Sequence, residues 1–207
     1  MSIIIGINAF HADSSAAIFK DGELLFAIEE EKLNRLKHWA GFPELSIKKC
    51  LEFTKIDTRM VTDVSINTNP LSNLNKKIPY FLQKYLFGNK KKEIFKRIKN
   101  KIEIKNYLVK NLNFNKNVNI HFIDHHLSHI ASSFYPSKFK SSLAISVDGF
   151  GDFASINIAK CNQSEIKILK KIFFPDSLGI FYEMMTQLLG FQNYGDEYKL
   201  MGLAPYG

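Results

Sequence analysis

The chain opens on an apolar run, Ile3-Ile4-Ile5-Gly6-Ile7, which breaks at Asn8 into a polar turn before a second run, Ala16-Ala17-Ile18-Phe19. The same pattern returns at Leu143–Val147 and Ser155–Ala159. Stretches 3–20 and 143–160 align without a gap, each position falling on the one 140 further along. Asn8 falls on Asp148, Phe10 on Phe150, Ser15 on Ser155 and Lys20 on Lys160. Short β-branched runs bounded by turn residues predict strands. A third candidate strand follows each pair, Glu23–Ile28 and Glu165–Leu169, across hairpin-type turns. The spacing therefore predicts two three-stranded meanders.

A duplicated lobe that opens on a meander is the plan of the actin and sugar-kinase ATPases. The fold class expected is α/β, an actin-like ATPase (ASKHA, ribonuclease H-like) with duplicated lobes. The turn between the first two strands of each lobe then grips phosphate, through Asn8 in the first and Asp148, Gly149, Gly151 and Asp152 in the second. Small-residue turns let backbone N–H groups approach an anion. The first lobe is expected over residues 1–140 and the start of the second over 141–207. The second stretch is about half the length of the first, so the second lobe is read as incomplete and the chain as the N-terminal piece of a longer protein.

Between the meanders, Glu44–Phe53 carries apolar residues at helical spacing, and Val61–Ile66 and Val118–Ile123 read as strands. Asp124 is placed to N-cap a helix that runs to about Tyr135, before Pro136. The charge-dense Glu29–Lys37 stretch reads as a solvated helix start.

Composition changes the picture in one place. The net charge is +8, but thirteen basic and two acidic residues lie between Lys76 and Lys116, leaving the remainder mildly acidic. That segment alternates lysine with apolar residues and reads as a surface helical insertion over about 76–116. Its lysines are expected in solvent, and Ile78, Phe81, Tyr85, Phe87, Ile94, Phe95 and Ile98 packed onto the first lobe or each other. Only Arg35, Arg59 and Arg97 among 28 basic residues are arginines, which argues against nucleic-acid recognition. No apolar run has the roughly 18 residues of a membrane helix, so no membrane partner is expected. Two cysteines, Cys50 and Cys161, form no disulfide framework or Cys-rich zinc site, and the expected location is the cytoplasm.

The strongest local signal for chemistry is D124-H-H-L-S-H129. His125 and His129, four apart, project from one helix face and can share a metal. His126 stands where the metalloprotease motif would need its glutamate. Asp148, at the end of a strand expected beside that helix, makes a set of two histidines and one carboxylate. Such a set suits Fe(II), Mn or Zn with open positions. D148-G-F-G-D152 is not a calcium loop of the EF-hand type, because Ala159 occupies the twelfth position.

These stretches together resemble the NodU/CmcH type of O-carbamoyltransferase. The resemblance is carried by GINAFHADSSAA at 6–17, EEEKLNRLKHWAGFP at 29–43, DHHLSHIASSFY at 124–135, VDGFGD at 147–152 and LGIFYEMMTQLLGFQNYGDEYKLMGLAPYG at 178–207. It implies an N-terminal domain of the actin-like ATPase class. It also implies a YrdC-like domain, on the same or a separate chain, that makes carbamoyl-adenylate from carbamoyl phosphate and ATP. The N-terminal domain then transfers the carbamoyl group to a hydroxyl of a sugar, an antibiotic or a related small-molecule metabolite. By motif match His125, His129 and Asp148 are similar to the family's iron ligands, with a further Asp ligand expected beyond Gly207.

The sequence departs from the family at one position: alignment on Ser15-Ala16-Ala17 puts the family's usual base histidine at Ala12, one residue after His11. His11 is the candidate base, with Lys37 and His38 as secondary candidates for contacts to the carbamoyl or acceptor groups. The alternative is an inactive or partner-dependent ATP- and metal-binding fragment of the same fold. The isolated chain is expected to be inactive.

Overall fold

The structure is a computed structural model that describes residues 1–87 and 103–207. Contacts divide it into two compact units: residues 1–71 with 81–123, and residues 72–80 with 124–207.

The first unit is built on a five-stranded sheet. Its strands are β1 (Ile3–Asn8), β2 (Ser15–Lys20), β3 (Glu23–Glu29), β4 (Asp63–Ile66) and β5 (Asn119–Phe122), in spatial order β3-β2-β1-β4-β5. The first three form an antiparallel meander, while β4 pairs parallel to β1 and β5 parallel to β4. A short helix α1 (Glu31–Asn34) and α2 (Glu44–Thr54) intervene between β3 and β4. Ile3, Ile5 and Ile7 alternate into the core with Val64 and Ile66, and meet Ile47, Cys50 and Leu51 of α2. That i, i+3, i+4 spacing makes one apolar helix stripe.

Helices occupy both described ends of the lysine-rich segment: α3 (Leu74–Phe87) and α4 (Ile104–Asn111). Ile104 and Leu108 of α4 belong to the first unit's core, so this part of the segment is a core-packing helix instead of a surface insertion. Ile78 is 53% exposed, contrary to the expected packing. Ile94, Phe95 and Ile98, and the side chains of Phe81, Tyr85 and Phe87, lie outside the described structure.

The second unit carries a three-stranded antiparallel sheet, β6 (Ser141–Gly151), β7 (Ala154–Asn162) and β8 (Ile166–Phe173), in that order. Its helices are α5 (His125–Phe134), α6 (Leu178–Leu188) and α7 (Glu197–Leu203). Ile130 and Phe134 of α5 pack on Ala159 and Cys161 of β7. This packing draws residues 124–140 into the second unit, so the units part at Ile123/Asp124 and not near residue 140.

The repeat extends to strand pairing. Ile3↔Lys20, Ile4↔Phe19, Ile5↔Ile18, Gly6↔Ala17 and Ile7↔Ala16 in the first sheet are matched, each plus 140, by Leu143↔Lys160 through Val147↔Ile156 in the second. Even the irregularity repeats: the middle strand slips register between Ile18 and Phe19, and again between Ile158 and Ala159. A shared bulge is a local device that twists and bends a strand. The fold is α/β, and each unit carries one of the two expected three-stranded meanders. No helix among the described residues is long and apolar enough to cross a membrane.

Candidate metal centre

Asp124 caps α5, its carboxylate accepting from the Leu127 N–H at 3.3 Å. The first helical turn therefore starts at His125, and His129 follows one turn later on the same face. Opposite them the β6–β7 ladder is interrupted between Val147 and Gly151, which frees Asp148 to turn its carboxylate toward α5. His125 Nε2 lies 2.7 Å from Asp148 Oδ2 and 3.0 Å from His129 Nε2. His129 Nε2 is 3.7 Å from the same oxygen.

Three ligand atoms thus converge. The His125 and His129 side chains hold the Asp148 carboxyl well below the usual carboxylate range, helped by the Gly149 N–H at 2.6 Å. Two Nε2 atoms and a carboxylate oxygen at these separations fit ligands placed about 2.0–2.2 Å from one ion. In the absence of a cation, two imidazole nitrogens would face each other across 3.0 Å with one proton to share. The donor set therefore fits a divalent metal.

The surroundings hold the ligands in place. A Cβ on Gly151 would lie 2.0 Å from Cδ2 of His125, so only glycine admits the His125 ring. Gly149 has no such neighbour. The N-terminus of α6 closes on the same strand end: Ser177 Oγ donates to the carbonyls of Asp148 and Gly149 at 3.1 and 2.6 Å. A Cβ on Gly179 would stand 2.5 Å from the Gly149 nitrogen. Asp152, expected to meet nucleotide, has its carboxylate turned inward and accepts from the His125 N–H at 3.0 Å. Lys77 approaches it to 4.0 Å with a side chain only 14% exposed, so this lysine is not in solvent as expected for its segment. Burial pushes the Lys77 ammonium down, against the opposing pull of Asp152 and Asp124. Lys171 donates to Asp124 at 3.2 Å and to Asn73 at 3.4 Å. The Lys77–Asp152 and Lys171–Asp124 pairs carry no sequence signal, because their partners lie far apart along the chain. His126 turns the other way, buried, with Nδ1 on Ser146 Oγ at 2.8 Å and Nε2 on the Ala154 carbonyl at 2.9 Å.

The remaining candidates lie in the first unit. Asn8 Nδ2 donates to the carbonyls of Ala12 and Asp13 at 2.9 and 3.0 Å, and its oxygen accepts from Asn67 at 3.1 Å. Asn8 therefore shapes the turn after β1. His11 is exposed on that turn and Lys37 is exposed on the loop between α1 and α2. His38 Nδ1 meets Asp13 Oδ1 at 2.9 Å. Asp13, Glu31 and His38 bring ligand atoms within 4.8 Å of one another. The Glu31 carboxylate is already engaged by Lys32 at 2.8 Å and the His38 N–H at 3.1 Å.

Comparison with known proteins adds four observations. The family described as Carbamoyltransferase N-terminus matches residues 3–207. The nodulation protein NolNO of Sinorhizobium fredii is 35% identical over 97% of this chain and 28% of its own length. The Synechocystis protein sll1178 is 34% identical over the whole chain and 35% of its own length. The chain thus spans about a third of the length of these relatives. YeaZ from Pseudomonas aeruginosa superposes with a TM-score of 0.43 at 12% identity, over 82% of this chain and 65% of YeaZ.

Proposed function

The chain belongs to the carbamoyltransferase N-terminal family, and from that membership we propose that it is the metal-binding transfer domain of an O-carbamoyltransferase. The donor is carbamoyl phosphate, activated with ATP as carbamoyl-adenylate by a YrdC-like domain. The acceptor is a hydroxyl of a sugar, antibiotic or related metabolite. The observation that carries the reading is the convergence of His125, His129 and Asp148.

Those three residues would hold Fe(II) or another divalent ion, which when bound supplies Lewis-acid polarisation of oxygens on the phosphate-bearing leaving group. Asp148 brings the negative charge that offsets the cation, while Asp152 holds the His125 backbone N–H and Gly151 leaves room for its ring. The turn after β1, with His11 on it and His38 against its Asp13, offers the groups that take the acceptor's proton, and Lys37, beside His38 in sequence, a group for the carbamoyl. Asn8 keeps that turn in shape, and the Asp148–Asp152 turn would be the one to meet nucleotide phosphate. The buried free thiols Cys50 and Cys161 suit a reducing cytoplasm.

The test uses the full-length protein. Wild type and His129→Ala are loaded anaerobically with Fe(II), and bound metal is counted after desalting. Each is then given labelled carbamoyl phosphate, ATP and a panel of polyhydroxyl acceptors. One ion per wild-type chain, lost with His129→Ala together with transfer, supports the reading. Metal-free wild type with full transfer overturns it.

A further inference from the structure

In the first unit, two loops are stitched face to face. The Phe10 N–H donates to the Gly41 carbonyl and the Ser14 N–H to the Trp39 carbonyl, each at 3.0 Å. Buried Ser14 adds its hydroxyl to the Gly41 carbonyl at 2.8 Å and to the His11 carbonyl at 3.0 Å. These bonds fix residues 10–14 against residues 38–41. Within that frame the His38 ring, a third exposed, presents Nδ1 to Asp13 at 2.9 Å. The His38 N–H is held separately by Glu31 at 3.1 Å. Both partners of the contact have left-handed backbones, φ 57° at Asp13 and 55° at His38. Non-glycine residues keep such conformations where the surroundings impose them, and they gather at functional sites.

We infer that His38 is the general base that takes the acceptor's proton, with Asp13 as its positioning residue. This rests on the carbamoyl-transfer reading. A carboxylate on Nδ1 holds the proton there, so Nε2 carries the lone pair. As the acceptor O–H gives its proton to Nε2, the oxygen forms a bond to the carbonyl carbon of a carbamoyl–phosphate mixed anhydride. The bond from that carbon to the bridging oxygen breaks, the electron pair leaves with the phosphate group, and His38 passes its proton to solvent. His11 is exposed on the same turn.

The test again uses full-length protein with labelled carbamoyl phosphate, ATP and the acceptor that wild type accepts best. His38→Ala should lower kcat about 10²- to 10⁴-fold, as for loss of a general base, with KM for the acceptor changed little. Added imidazole should restore part of the rate. Asp13→Asn should give a smaller loss, with partial recovery in Asp13→Glu. A few-fold effect of His38→Ala, no imidazole rescue, or an equal or larger loss in His11→Ala overturns the assignment. A second arm needs no acceptor: nitrogen NMR of the labelled histidines should show His38 protonated at Nδ1 in wild type, and this preference lost in Asp13→Asn. The opposite tautomer in wild type overturns the dyad. Wild type that carbamoylates nothing removes the transfer reading, while the NMR arm still decides the dyad.

Discussion

Nε2 of His125 sits 2.7 Å from Oδ2 of Asp148, joining the first turn of a helix to the end of a strand. The contact exists because three local features coincide. Asp124 starts the helix one residue before His125. The β6–β7 ladder opens after Val147. Gly151 leaves room for the ring. The proposed metal ligand set, assembled from two elements, is only as precise as these supports.

Gly151→Ala tests the last of them. Its new methyl would lie 2.0 Å from the His125 ring, and no rotation of an alanine side chain relieves that. The ring must leave its place beside Asp148. Metal affinity should fall tenfold or more, within the range for disturbed supporting groups, while far-UV circular dichroism stays like wild type. Gly149→Ala is the companion, since its Cβ meets no atom within 4 Å. Equal metal affinity in the two variants would dismiss the steric argument.

Glu30 is a second buried support, in the first unit. Its carboxylate accepts from the N–H groups of Leu45 and Ser46 and from the Ser46 hydroxyl, at 3.0, 2.7 and 2.6 Å. Helix α2 begins after Pro43, which offers no side-chain cap, so Glu30 serves its open N–H groups from a distance. Negative charge at a helix start is also favoured by the helix dipole. Glu30→Ala should cost about 2–3 kcal/mol, the range for charged hydrogen bonds and their orphaned buried donors. Urea unfolding measures it. A loss under about 0.5 kcal/mol, a surface-like value, would show the cap to be dispensable.

What the sequence makes legible follows from local periodicity. The two meanders are visible because side chains alternate with a period of two and the repeat is gapless. The His125/His129 pair is visible because four residues make about one helical turn. Glu30 is not: in Glu29-Glu30-Glu31 it looks like its solvated neighbours, and only the fold brings Ser46 to it. The same holds for Lys77, one lysine of many in its segment, singled out by Asp152 far along the chain. Long-range pairing of polar residues leaves no period to detect.

His126 gives the protein a pH dependence of predictable sign. Burial holds its imidazole below the ordinary value, outweighing the Ala154 carbonyl that favours the charged form. Because the folded pKa lies below the unfolded one, the unfolded chain binds more protons as the pH falls. The contribution is fully present above about pH 6.5, the unfolded value, and is lost as pH drops toward the folded pKa. The urea midpoint should therefore fall between pH 7 and pH 5. His126→Gln, which keeps one donor and one acceptor without a titrating ring, should flatten that slope. An unchanged slope would assign the acid sensitivity to other groups.

The repeat also supplies an internal control for burial. Ile3, Ile5 and Ile7 are 0, 0 and 3% exposed, whereas their counterparts in the second meander, Leu143, Ile145 and Val147, are 63, 60 and 51% exposed. The register is the same and the side chains are equally apolar; the difference is what lies over them. In the first unit α2 and α4 complete a core around β1, and β4 pairs along its edge. Strand β6 has no second strand partner among the described residues. Ile5→Ala should thus cost about 2–5 kcal/mol, as for a core truncation, and Ile145→Ala under about 1 kcal/mol. Hydrogen exchange across a urea series reads the two units separately. If Ile145→Ala costs as much as Ile5→Ala in this chain, the β6 face is covered in solution. A stability that rises with protein concentration would then identify the cover as a second copy. A small, concentration-independent cost would leave the face bare, and the apolar stripe Leu143-Ile145-Val147 would stand as open surface at a position whose repeat partner is fully buried.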